Sequence, residues 1–138
     1  MNILIIDGHG GGLGAQLVVL LTKYFPEYKL RAVGTNSAAT VAMVKAGAKE
    51  AATGENAVVV GCRWADIIIG PVGIVIADSM LGEVTPKMVV AVGQSEAERL
   101  LIPLNQCDTT IAGVGDVTVS KLLQDVAQRL KSCDIADK

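Results

Sequence analysis

The chain is poor in the residue types that carry several common chemistries. Its 138 residues include 1 histidine, and the 3 cysteines, at positions 62, 107 and 133, form no CxxC pair. That argues against a zinc site built from clustered Cys and His ligands, and an odd number of widely spaced cysteines suits a reducing compartment better than a disulfide framework. Aromatic residues make up 3% of the chain, and no stretch interleaves them with Lys or Arg. With a formal net charge of -2, the chain lacks the cationic surplus that a nucleic-acid backbone requires. It also has no polybasic patch for an anionic membrane. No apolar run reaches the roughly 20 residues of a bilayer-spanning helix, and the opening MNILIIDG has no basic segment ahead of its apolar one, unlike a signal peptide. The expectation is a cytoplasmic protein with neither nucleic acid nor membrane as partner.

What the chain has in quantity is aliphatic bulk. Hydrophobic residues reach 51%, with 15 glycines, the composition of a parallel sheet covered on both faces. The length fits one domain over 1–138. Ile3 to Ile6 reads as a central strand, and Leu13, Leu17, Leu20, Leu21 and Tyr24 recur at helical spacing until Pro26. Leu30 to Val33 is the next strand, followed by a helix capped by Thr35, Asn36 or Ser37 and closed by Gly47. KEAAT suggests a short strand. Residues 56–64 read as a helix despite their β-branched run, because the parallel strand DIIIG at 66–70 needs a crossover before it. TP at 85–86 starts another helix. Arg99 to Ile102 and Thr109 to Ala112 read as two strands joined by a connection too short for a helix, hence antiparallel, and a last helix buries Val119, Leu122, Leu123, Val126 and Leu130. The expected fold class is α/β: a three-layer Rossmann-like sandwich, mostly parallel, with a short antiparallel addition near the C-terminus.

The stretch DGHGGGLG at 7–14 joins the first strand to the first helix. Gly10, Gly12 and Ala15 fit the dinucleotide pattern G-x-G-x-x-A, while Gly8, Gly12 and Gly14 fit G-x-x-x-G-x-G. In either register glycine lets the backbone approach a pyrophosphate, whose charge meets free N–H groups at the helix start. Asp7, Gly8, Gly10, Gly11, Gly12, Leu13 and Gly14 are thus cofactor-binding candidates, with helix capping the favoured role for Asp7. A Lys-Ser/Thr pair is missing, against a P-loop hydrolase. The acid that would hold an adenosine ribose after the second strand is missing too: VGTNS stands there, weakening NAD specifically and leaving Thr35, Asn36 and Ser37 as hydroxyl and amide contacts. Against phosphate binding stands a purely structural turn.

Further candidates sit in the loops after strands. His9, the lone histidine, is a general-acid candidate or a phosphate contact, and a solvent-facing residue otherwise. Asp78 and Glu83 in ADSMLGE lie in the expected crevice loop, where two carboxylates near one ligand suit acid/base work or the holding of Mg²⁺. Gly70, Pro71 and Gly73 of GPVG form a second backbone feature facing a ligand or a tight strand exit. Cys107 reads as an exposed thiol in a turn and Cys62 as a helix-face residue, both inert without a basic partner. No metal ligands are assigned.

IDGHGGGLG, VGTNSAAT, DIIIGPVGI, ADSMLGEVTP and LIPLNQC together resemble a family of short bacterial proteins, domain-of-unknown-function family 3842, over nearly the whole chain. The resemblance implies a compact Rossmann-like domain and carries over no activity or site residues. The residues themselves support a protein binding a phosphate-containing small molecule, a nucleotide or phosphometabolite, with NAD(P) or another nucleotide as cofactor. The alternatives are a small NAD(P)-dependent oxidoreductase and a non-catalytic ligand sensor or interaction scaffold. A narrow crevice in so small a domain also suggests a homodimer.

Overall fold

The computed structural model describes residues 1–104 and 108–136, with side chains up to position 132. The expectation for Cys107 lies outside the described residues. In chain order the elements are β1 (Asn2–Asp7), α1 (Gly12–Tyr24), β2 (Lys29–Gly34), α2 (Ser37–Lys45), β3 (Glu50–Thr53), α3 (Glu55–Trp64), β4 (Ile67–Pro71), a 3-10 turn (Val72–Val75), α4 (Pro86–Gln94), β5 (Glu98–Ile102) and α5 (Val119–Ala136).

The five strands form one parallel sheet in the order β3-β2-β1-β4-β5. β1 lies at its centre because Ile3, Leu4, Ile5 and Ile6 are apolar toward both faces, and all four are at most 1% exposed. Successive side chains alternate across the sheet. Ile3 and Ile5 join Leu17, Met43, Val126 and Leu130 in one core, whereas Leu4 and Ile6 join Val58, Ile68, Met88 and Val92 in the other. Helices α1, α2 and α5 thus contribute to one cluster, and α3 and α4 to its counterpart.

Local signals account for the helix starts. Asn36 caps α2 by accepting from Ala39 N at 2.8 Å, and Thr85 caps α4 by accepting from Met88 N at 3.2 Å, ahead of Pro86 at the first helical position. At the end of α2, Gly47 takes φ +120° while its N–H and that of Ala48 close on Val44 O and Met43 O. Residues 55–64 are helical despite Val58, Val59 and Val60. The crossover to a parallel β4 and the burial of Val58 and Cys62 outweigh their β preference.

The antiparallel addition expected near the C-terminus is not formed. β5 pairs parallel to β4, from Ile67 with Glu98 to Pro71 with Ile102, and Thr109 to Ala112 is not a strand. The physical reason lies upstream. The segment from 72 to 97 carries α4 and is long enough to return the chain to the starting edge of the sheet, so β5 runs parallel. Downstream, left-handed backbone at Asp108 and Gly113 and the bond from Val114 N to Ile111 O turn the chain where an extended partner was expected.

Candidate functional site

From β1 the chain order runs to β2 and β3 on one side, while β4 and β5 lie on the other. The reversal puts a topological switch point at the carboxyl ends of β1 and β4, the place where open parallel sheets receive ligands. The 7–14 loop leaves β1 at that point.

The loop's glycines fall into two groups. A Cβ on Gly14 would lie 2.6 Å from Met43 Sδ and 2.9 Å from Asp7 Cβ; on Gly8 it would meet Met80 Sδ at 2.5 Å and Thr35 Oγ1 at 2.6 Å. Gly11 caps α1 with φ +73°, and its Cβ would fall 2.7 Å from the Ala39 backbone. Packing of the chain on itself explains these three. Over Gly10 and Gly12, by contrast, nothing lies within 4 Å, and neither has left-handed backbone. Among the described residues the N–H groups of Gly10, Gly12 and Leu13 have no hydrogen-bond partner; Gly12 and Leu13 are orphan donors of the helix start, and Gly10 lies just before the cap.

Asp7 is buried at the end of β1. Its Oδ1 accepts from Gly8 N at 2.8 Å, and its Oδ2 accepts from Gly14 N, the third residue of α1, at 2.7 Å. This is the capping role expected of it, exercised from outside the helix, and no hydrogen bond ties it to the His9 ring. Burial pushes its carboxyl above the ordinary range, and the two backbone donors offset part of that rise.

A second carboxylate enters from the turn that follows β4. Glu83 Oε1 accepts from Thr35 Oγ1 at 2.7 Å, Asn36 Nδ2 at 2.7 Å and His9 N at 3.1 Å. Asn36 Nδ2 also donates to His9 O at 2.9 Å, and Thr35 N donates to Asp7 O. Glu83 therefore joins the glycine loop to the end of β2. Partial burial pushes its carboxyl up, but the donors from Thr35, Asn36 and His9 outweigh burial and hold it below the ordinary value. A group with a lowered folded pKa contributes stability that is present above its unfolded value, 4.5, and lost as pH falls through the folded one. We expect the stability difference between the wild type and Glu83→Gln, measured by urea denaturation, to be largest near neutrality and to shrink below pH 4.5. A difference that grows on acidification would contradict these bonds.

The remaining candidates divide. His9 has left-handed backbone (φ +51°) and an exposed side chain, and its backbone rather than its ring is engaged. Asp78 is exposed, also left-handed, and no hydrogen bond of its carboxylate brings it to Glu83. Ser37 is exposed in the first turn of α2. Gly70, Pro71 and Gly73 are buried. A Cβ on Gly70 would lie 2.5 Å from Ile6 O, so close packing of β4 on β1 accounts for that glycine; Gly73 packs under Ser79 and Met80. Ser79 Oγ donates to Gly73 O at 2.6 Å. Met80 was not a candidate, yet its sulfur covers Gly8; no local pattern around it marks that contact.

Cavities elsewhere do not border this site. One of about 700 Å³ is lined by Cys62, Trp64, Asp66 and Ser95, and one of about 640 Å³ by Ile3, Phe25, Lys29 and Arg31, both at the amino ends of the strands. Cys62 is buried there, its thiol pushed up by burial to about 11, so it is a poor nucleophile. Among the described residues no group of three or more His, Cys, Asp or Glu side chains is placed to hold a metal ion, and no helix is long and apolar enough to cross a membrane.

An all-parallel sheet in this strand order, opening through a glycine loop into its first helix, defines a Rossmann-like α/β protein. A family model described as Domain of unknown function (DUF3842) matches residues 2–134, and the chain belongs to that family. No curated protein matches it.

Proposed function

We propose that the protein binds a phosphate-bearing nucleotide, with phosphate oxygens on the N–H groups of Gly10, Gly12 and Leu13. One observation carries the reading: the N–H groups of Gly12 and Leu13 in the first turn of α1, and that of Gly10 just before its cap, have no partner among the described residues, and a Cβ on either glycine would meet nothing within 4 Å. Donors so placed, with the positive end of the helix dipole behind them, favour a phosphate. In this reading the fold is a three-layer Rossmann-like sandwich, its helices divided between the sheet faces as the two core clusters are.

The test is thermal stabilisation by ADP, NAD, NADP and inorganic pyrophosphate. A ligand present at about 100 times its Kd adds roughly 2.7 kcal/mol to the native state. Gly12→Val, whose Cβ would meet nothing within 4 Å, is expected to abolish the stabilisation in a protein that still unfolds cooperatively when unliganded. Unchanged affinity in that variant would remove the loop as the site.

A further inference from the structure

The second strand ends at Gly34 and is followed by Thr35 and Asn36, with no acid there to hold a ribose. A carboxylate nevertheless stands at that strand end, brought from position 83 and fastened by the side chains of Thr35 and Asn36. We infer that Glu83 is the ribose acceptor of the nucleotide site, its free carboxylate oxygen taking the 2′- and 3′-hydroxyls of a ribonucleotide. The inference rests on the phosphate reading above and adds the ligand class: ribonucleotides with an unmodified 2′,3′-diol.

Three features support it. Every hydrogen bond to this carboxylate found among the described residues falls on Oε1, which leaves Oε2 as an acceptor, and a hydroxyl is a donor that an ionised carboxylate binds well. The donors that hold Oε1 come from three positions, so the group is fixed before a ligand arrives. Gly8 permits this approach: a Cβ there would lie 3.0 Å from Glu83 Oε1. Charge also discriminates. The ionisable neighbours of this carboxylate are His9 and Asp7, and no Lys or Arg bonds to the cluster among the described residues. A 2′-phosphate would meet an anion here without a guanidinium to balance it.

Calorimetric titration of the whole chain with inorganic pyrophosphate, ADP, 2′,3′-dideoxy-ADP, NAD and NADP tests the assignment. In the wild type ADP should bind about 10- to 100-fold more tightly than its dideoxy form, the range of a hydrogen bond to a charged group, and NAD more tightly than NADP. Glu83→Gln should bring the ratio of ADP to dideoxy-ADP affinity close to one, a ratio taken within the variant so that any change in the loop's hold on phosphate, common to both ligands, cancels. Thr35→Val, which removes one of the bonds holding Oε1, should lower the preference in the same direction by a smaller factor. The dideoxy comparison needs no variant and stands even if one fails to fold. Pyrophosphate binding without a diol preference in the wild type, or a diol preference that Glu83→Gln leaves intact, would overturn the ribose assignment alone. Absence of binding by every ligand, pyrophosphate included, would overturn the phosphate reading and the ribose assignment with it.

Discussion

Gly11→Ala is expected to destabilise the protein by roughly 2–5 kcal/mol, a fall in Tm on the order of 10 °C. Two costs add. Alanine pays for the left-handed backbone that Gly11 adopts at φ +73°, and its methyl would fall 2.7 Å from Cα and O of Ala39, backbone atoms that cannot rotate away. Relief would require α1 and α2 to separate, opening the core around Leu17 and Met43. Gly12→Ala, one residue later, meets no atom and should melt within about 2 °C of the wild type, since alanine is the better helix former. Calorimetric melts of the two variants side by side decide the matter. Similar Tm values for both would mean that the loop does not have this conformation.

Those two glycines also mark the boundary of what could be read without coordinates. In HGGGLG they are neighbours of the same type, and what separates them is the position of α2, which is packed against one and not against the other. Features written within a few residues were legible: the central strand from four consecutive aliphatics, the cap at Thr85, a cap of α2 among Thr35, Asn36 and Ser37 that the structure assigns to Asn36, and the turn at Gly47. Features set by distant partners were not. The direction of β5 follows from the helix-bearing segment before it rather than from its own residues or the loop after it. Glu83 was legible as an acidic residue in a crevice loop, but its partner was expected to be Asp78, five positions away. The structure instead joins it to Thr35 and Asn36, 48 and 47 residues distant. The end of β2 carries no acid of its own, and the carboxylate that hydrogen-bonds there comes from position 83.

Asp7→Ala should cost about 2–4 kcal/mol, because it leaves the N–H groups of Gly8 and Gly14 without the acceptor that now satisfies both in a buried place. Asp7→Asn separates the geometry of that acceptor from its charge. An amide has one carbonyl oxygen for two N–H donors and sets its own NH2 against one of them, so it too should destabilise. The pH dependence distinguishes the terms. Burial raises the folded pKa of Asp7 above the unfolded 3.8 despite the bonds from Gly14 and Gly8. The folded state therefore holds this proton more tightly than the unfolded chain. Wild-type stability measured relative to Asp7→Asn should then be greatest below pH 3.8 and should decline as pH rises through the raised value, levelling off above it. Urea denaturation of both proteins from acid to neutral pH measures that gap. A gap that widened toward neutrality would mean that the two backbone donors outweigh burial and hold Asp7 as a carboxylate in the folded loop.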